Sequence, residues 1–296
     1  MLRITNAGNT SRLMQHIQAA QARLARTQDR MASGRRINRP SDDPFGNSRV
    51  MTMRTGLGLV TQRQRTVELA KSELGVTEAA LESLGRVLAR AEELAVQADS
   101  TAVDARGRAA IATEVDSLLQ EAATVGNASY GGRHLFGGFQ TASPPFMLDT
   151  PSDATAVTFS GDAGTVTREI GDGETVEVSL DGQALFGGVF TSLIGFRDAL
   201  RAGDRTGIRA GSTALKGDID RMLAARGEIG ARVRRVELVE ERLAGDEANL
   251  QTQVSQLEDA DLTQEAVDLQ LRDVALQAAL SATAKSLTDS LLEFLR

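Results

Sequence analysis

A seven-residue step along the chain limits what it can fold into more than any other feature. Counted from Met53, the step lands on Val60, Val67, Leu74, Leu81, Leu88 and Ala95, every one apolar. Counted from Ile208, it lands on Leu215, Met222, Ile229, Val236, Leu243, Leu250 and Leu257. A free helix turns every 3.6 residues and drifts away from such a repeat, so a strict heptad of this length predicts a coiled-coil seam. At a rise of 1.5 Å per residue, helices of about 50 residues are roughly 75 Å long, which makes a rod. Composition points the same way. Apolar residues make up 41% of the 296, but aromatics only 3%, with Tyr130 alone and no Trp. That supply suits long aliphatic seams better than a compact aromatic core.

The two ends repeat the pattern more weakly. Leu13, Ile17, Ala20, Leu24 and Met31 follow steps of four and three, with a step over Thr27. Leu269, Leu276, Leu280, Leu287 and Phe294 form a comparable stripe near the C-terminus. Isolated helices of this modest apolarity are marginal in water, so each end is expected to order only when a partner covers its stripe. Charge separates the ends as well. Residues 1–65 hold twelve Arg against Asp29, Asp42 and Asp43, whereas residues 237–296 hold thirteen acids against Arg242, Arg272, Lys285 and Arg296. A basic arm can mean nucleic acid, but this one has no Tyr or Trp to stack on bases. Pairing of the two ends accounts for both charges, and no nucleic acid is expected as a partner.

Breakers divide the helical stretches. Arg39-Pro40-Ser41-Asp42-Asp43-Pro44-Phe45-Gly46 carries two Pro, each lacking an N–H and biasing its predecessor to extended backbone, so a non-helical link is expected there. A helix is expected from about Asp104 to Val125, stopped by Gly126-Asn127. Residues 141–186 change character: they hold eight acids and only Arg168, and Ala156–Ser160, Thr165–Thr167 and Glu174–Val178 read as short strands between Gly-Asp turns. Helix resumes near Val189, breaks at Gly203-Asp204 and runs to about Leu257. The expected fold class is therefore mainly α: a long antiparallel coiled-coil or helical-bundle rod of paired N- and C-terminal regions, with a small β-rich insertion mid-chain. The expected domains are 1–45 with 257–296 for terminal assembly, 46–140 with 187–256 for the helical rod, and 141–186 for the insertion.

Little here supports chemistry. The chain has no Cys, which excludes disulfides, thiolate metal sites and a Cys nucleophile. Its two His, His16 and His134, stand far apart, which removes the usual material for metal sites and triads. Gly131-Gly132-Arg133-His134-Leu135-Phe136-Gly137-Gly138 lacks the Gly-Lys-Ser/Thr ending of a phosphate loop and reads as a tight turn. Asp42-Asp43 has no third ligand at useful spacing and reads as a helix cap. Gly171-Asp172-Gly173-Glu174 lacks the alternating acids of a calcium loop. No catalytic residue, cofactor or metal is expected. No apolar run approaches 18 residues, so no membrane insertion is expected. The first residues, Met1-Leu2-Arg3-Ile4-Thr5-Asn6, show no signal-type apolar stretch, so export would need another route.

Both ends resemble one known family, the bacterial flagellins and their hook-associated relatives. Met31-Ala32-Ser33-Gly34-Arg35-Arg36-Ile37-Asn38-Arg39-Pro40-Ser41-Asp42-Asp43-Pro44 is similar to that family's N-terminal signature, where Ser-Gly-x-x-Ile-Asn leads into an Asp-Asp turn. Leu257-Glu258-Asp259-Ala260-Asp261, Ala275–Leu280 and Ser290–Leu295 resemble its C-terminal signature. Three places resemble the hook-associated members that join hook to filament: the Pro-Ser-Asp-Asp-Pro form of the turn, Tyr130–Gly138 with His134 in place of the usual Tyr, and Ala224–Arg232. The ending Arg296 resembles a filament flagellin, which stays the alternative.

The resemblance implies a structural subunit and not an enzyme, exported by the flagellar type III route and located at the hook–filament junction. It implies self-association into a ring, contact with the proximal hook-associated junction protein and with flagellin, and a flagellar export chaperone. The residues it assigns to assembly are Leu13, Ile17, Leu24, Met31, Leu269, Leu276, Leu280, Leu287 and Phe294. Ile37, Asn38, Pro40, Asp42, Asp43 and Pro44 form the family turn. A flagellin with an enzymatic insert is disfavoured by the insert's length and lack of His, and a cytoplasmic coiled-coil scaffold would not need the end motifs.

Overall fold

The computed structural model of the chain describes residues 2–100, 103–150 and 153–294, with side chains over 11–100, 103–150 and 153–285. It is mainly helical. In chain order the helices are α1 (Leu2–Ser33), α2 (Pro44–Asp99), α3 (Ala105–Gly126), α4 (Gly182–Ala202), α5 (Arg205–Glu258) and α6 (Leu262–Phe294). Between α3 and α4 lie β1 (Ser129–Tyr130), β2 (Arg133–His134), β3 (Phe146–Leu148), β4 (Val157–Phe159), β5 (Thr167–Gly171) and β6 (Glu174–Glu177), joined as three separate antiparallel pairs, each strand with its neighbour in sequence. The chain divides into two compact units: Met1–Leu59 with Asp246–Arg296, and Val60–Gly245. No helix among the described residues is long and apolar enough to cross a membrane.

Within the second unit the heptad is the core. Val67, Leu74, Leu81 and Leu88 on α2, and Leu215, Ile229 and Val236 on α5, are fully buried. Burying a side chain of this size contributes about 1.5–3 kcal/mol, so these rows outweigh anything the surface supplies. Local chemistry sets the ends of the shorter helices. Asp104 and Asp181 cap α3 and α4 by accepting from the Gly107 and Ala184 amides, and Gly203 closes α4 in the left-handed conformation at φ 68°.

α4 starts seven residues before the expected Val189. Gly182, Gly187 and Gly188 lower helix propensity over its first turns, but close packing compensates. A Cβ at Gly182 would collide with the Phe136 carbonyl, so the glycine lets the two segments touch.

The insertion departs from expectation in detail. β5 begins at Thr167 rather than Thr165; the Val166 amide donates to Ser179 Oγ at 2.8 Å, a side-chain bond that replaces a ladder bond. The β1–β2 and β3–β4 pairings engage residues 129–134 and 146–148, which show too short a pattern to read as strands. Few aromatics do not mean no aromatic core. Phe146 sits with ring centroids 5.1–5.2 Å from those of Phe159, Phe186 and Phe190, and Phe136 meets Phe186 edge-on at 5.0 Å. Contacts between the strand segment and α4 thus concentrate five of the nine Phe in one cluster. Arg197, 1% exposed, is held by Asp116, Asp198 and the Ala154 carbonyl, which ties the loop after β3 to α3 and α4.

Candidate assembly interface

In the first unit α1 packs along α6. Arg30 reaches Glu265 at 3.2 Å, and Arg272 donates to the Arg23 carbonyl at 3.1 Å. One index falls as the other rises, so the helices are antiparallel. On α1 the covered positions Leu13, Ile17, Ala20, Leu24, Thr27 and Met31 alternate steps of four and three, with Arg30 half-buried beside them. Thr27, skipped in the apolar count, is fully buried, and its hydroxyl donates back to the Arg23 carbonyl. That local bond satisfies the oxygen and lets a polar residue occupy a seam position.

Of the covered positions on α6, Glu265, Leu269, Arg272, Leu276, Ala279 and Thr283 keep the same alternation, with Ala266 and Asp268 half-buried beside them. Leu269 and Leu276 of the sequence stripe lie on it. Leu280 lies off it and is 45% exposed. Leu287 and Phe294 belong to α6, but their side chains lie outside the described residues. Four of the seam's twelve positions, three of them on α6, are polar. Its aliphatic burial is correspondingly thin, and its register is fixed by Arg30–Glu265 and Arg272.

The link between α1 and α2 is built by the family turn. Gly34 ends α1 at φ 68°, a left-handed backbone that favours glycine, and its amide closes on the Arg30 carbonyl. Ile37 is buried at 6% exposure. Asp42 accepts from the amides of Asn38 (3.2 Å) and Arg39 (2.9 Å), folding the segment containing Pro40 and Ser41 into a turn. Asp43 accepts from the Gly46 amide at 2.8 Å and so caps α2, with Pro44 at the first helical position, where a missing N–H costs nothing. The Asp-Asp pair thus does two separate backbone jobs.

Sequence reasoning missed the residue that joins this turn to the far end of the chain. Glu258, with its side chain 7% exposed, takes both Nη2 bonds of Arg54 at 2.7 Å and lies 3.2 Å from Arg35. Its carbonyl accepts from the Arg36 amide, Ala260 donates to the Gly34 carbonyl, and Arg35 bridges Asp259 in a short antiparallel contact. An acid within the C-terminal signature opposite Ser-Gly-Arg-Arg was the signal available. Asp261 then caps α6 through the Thr263 and Gln264 amides.

Among the described residues no three His, Cys, Asp or Glu side chains converge on a metal position. His134 is a turn residue of β2 whose Nδ1 lies 2.8 Å from the Asn127 carbonyl, so that nitrogen carries the proton and donates. A cavity of about 470 Å³ beside α4 and α5 has charged walls, but its Arg232 is spent on Glu177 and Glu228, and Arg221 on Asp218. The contacts hold the two terminal helices side by side and tie the α1–α2 turn to the α5–α6 link.

Comparison with known proteins agrees with that geometry. Residues 4–141 match the bacterial flagellin N-terminal helical region, and residues 213–295 match the bacterial flagellin C-terminal helical region. Flagellar hook-associated protein 3 of Escherichia coli is 23% identical over 91% of this chain and 92% of its own length. A flagellin of Halalkalibacterium halodurans is 26% identical over 90% of each chain. In fold, the crystal structure of Bacillus cereus FlgL superposes with a TM-score of 0.62 at 24% identity, covering 69% of this chain and 99% of that one. The flagellar junction protein FlgL of Legionella pneumophila gives 0.62 at 12% identity over 71% and 100%.

Proposed function

Because the chain belongs to the bacterial flagellin family, we propose that it is the hook-associated subunit, of the hook-associated protein 3 (FlgL) type, that joins hook to filament. The observation carrying this reading is the match to the Escherichia coli hook-associated protein 3 over 91% of this chain and 92% of that protein's length, a span that includes the insertion. The Pro40-Ser41-Asp42-Asp43-Pro44 turn, whose two carboxylates shape the α1–α2 link, supports the same branch.

In this reading the subunit is a structural element and not an enzyme. It leaves the cell through the flagellar export apparatus, forms a ring at the hook's distal end, rests on the proximal junction protein (FlgK) and seats the first flagellin subunits. Leu13, Ile17, Leu24, Met31, Leu269 and Leu276 close the terminal helix pair on which assembly depends. Leu280, Leu287 and Phe294 are assigned to contacts with other subunits or with the export chaperone. Residues 1–45 with 257–296 serve assembly, 46–140 with 187–256 form the helical body, and 141–186 the insertion.

The second reading is filament flagellin, favoured by the full-length similarity to the Halalkalibacterium halodurans protein. Immunolabelling of intact flagella separates the two. The junction role predicts one spot at the distal end of each hook; label along the whole filament would overturn it.

A further inference from the structure

The β3–β4 pair has one closed edge and one open edge. The Asp149 amide donates to the Ala156 carbonyl at 3.2 Å, and the Ser160 amide to the Pro145 carbonyl at 2.8 Å. With Met147 opposite Thr158 in the register, these two bonds set the phase of the ladder. Antiparallel bonds alternate, so Phe146 turns its N–H and C=O away from β4, and Val157 and Phe159 turn theirs away from β3. Asn127 takes the Phe146 groups: its Oδ1 accepts from the amide at 2.9 Å and its Nδ2 donates to the carbonyl at 2.8 Å. On the β6 side, Arg232 Nη1 donates to the Glu177 and Ser179 carbonyls at 3.3 and 3.0 Å. Among the described residues nothing takes the outward groups of Val157 and Phe159. An edge left bare in this way is a template for another strand.

A groove of about 450 Å³ runs beside that edge, with Val157 and Phe159 on one side and Thr191 and Ile194 of α4 on the other. Its α4 wall is low, because Gly187 and Gly195 stand one turn to either side of Thr191 on the same line. Glycine is the weakest helix former after Pro, and nothing inside the chain compensates at Gly195. A Cβ there would meet no atom within 4 Å, so the missing side chain leaves room that the described chain does not use.

The chemistry of the groove selects its occupant. No Asp, Glu, Lys or Arg lines it, so a charged group would lose water there without gaining a partner. Donors and acceptors on alternate residues of β4 call for an occupant that is itself extended. Its residues opposite Val157 and Phe159 would point as those two side chains do, toward α4, where aliphatic groups fill the space over the glycines. The residue between them would lie beside Thr158, on the exposed face. A second copy's β4 has this alternation, but it would bring its own α4 into the space that this α4 already fills.

We propose that the groove between β4 and α4 binds an extended, uncharged segment of a partner protein, apolar at alternate positions, as a third strand on the β4 edge. Both walls lie within Val60–Gly245, so the site is independent of where in the flagellum the chain sits.

The probe is a fluorescein-labelled peptide, Gly-Ser-Val-Thr-Val-Ser-Gly with blocked ends, titrated with the purified full-length chain and followed by anisotropy. Binding should saturate, and hydrogen exchange should slow at the Val157 and Phe159 amides while the Thr158 amide, which faces β3, is unchanged. The same peptide with Lys for both Val should bind at least about tenfold more weakly. Gly195→Leu is a better helix former that fills the groove; it should weaken the Val peptide by at least about tenfold without lowering the melting temperature. No saturable binding of the Val peptide, equal affinity for the Lys peptide, or binding that leaves Val157 and Phe159 exchange unaltered would each overturn the proposal. Protection of both amides without peptide, growing with protein concentration, would overturn it in favour of a second copy.

Discussion

At Leu88 and Leu243 the heptad can be tested one side chain at a time. Both are buried, at 0% and 3% exposure, whereas Glu241 on the same turn of α5 as Leu243 faces solvent. Leu88→Ala or Leu243→Ala deletes packed volume and should cost about 2–5 kcal/mol, while Glu241→Ala should cost less than about 0.5 kcal/mol. Denaturant unfolding followed by circular dichroism measures both, and equal losses would mean the seam faces the wrong way.

Asp218 is the opposite kind of core residue. Its side chain is fully covered on α5; one oxygen faces Arg221 and Ser192, and the other has no partner among the described residues. Burial raises its carboxyl pKa above the ordinary value, outweighing Ser192 and Arg221. A raised folded-state pKa means that the native chain holds this proton more tightly than the unfolded chain. The stabilisation is therefore complete below an unfolded value of about 3.9 and is lost as pH rises through the raised value. Asp218→Asn removes the charge, so it should melt higher than the parent at pH 7 and lose that advantage as pH falls toward 4. A constant difference between the two melting curves across that range would show that Asp218 does not titrate with folding.

Between elements, the α1–α2 turn and the α5–α6 link depend on one acid. Glu258→Gln keeps the shape but strips the charge that Arg35 and Arg54 share, a loss of about 1–3 kcal/mol for charge-assisted bonds. Hydrogen exchange should accelerate at the Arg36 and Ala260 amides, which bond across this link, while the amides around Leu81 and Leu88 keep their protection. Unchanged exchange at Arg36 and Ala260 would show that the backbone bridge holds without the ion pairs.

What could be read in advance follows the same physics. The heptads of α2 and α5 were visible because every seam position is aliphatic and a seven-residue period has no competing explanation. The terminal pair was visible only in part. Thr27, Glu265, Arg272 and Thr283 occupy seam positions through side-chain bonds that an apolar count does not register, and Leu280 fits the count but points outward. Turn chemistry was legible in Asp42, Asp43 and Pro44, since a cap needs only local sequence. Glu258 was not, since its partners lie more than two hundred residues away in the chain. The Phe cluster was hidden for a related reason: low aromatic content limits how many rings there are, not where folding gathers them.

For the whole molecule, the two units make folding and assembly separable. The residues buried on the heptad rows from Val60 to Leu243 all lie in Val60–Gly245, while α1 and α6 belong to the other unit. Truncation after Ala260 keeps Glu258 and the α1–α2 turn but removes the helix that covers Leu13, Ile17, Leu24 and Met31. The α1–α6 seam, polar at four of its twelve positions, adds little to the buried aliphatic core, so the truncated chain should still melt cooperatively as a largely helical protein. α1, left as a single helix with a thin apolar stripe, should lose its order. The expected phenotype is then one of assembly. Cells supplied only with the truncated chain should complete their hooks and shed flagellin into the medium, because nothing seats the filament. Electron microscopy of the hooks and a flagellin blot of the culture fluid measure both outcomes. Full-length filaments on such cells would show that α6 has no part in the junction. A chain that no longer folds would show instead that the terminal pair is part of the core.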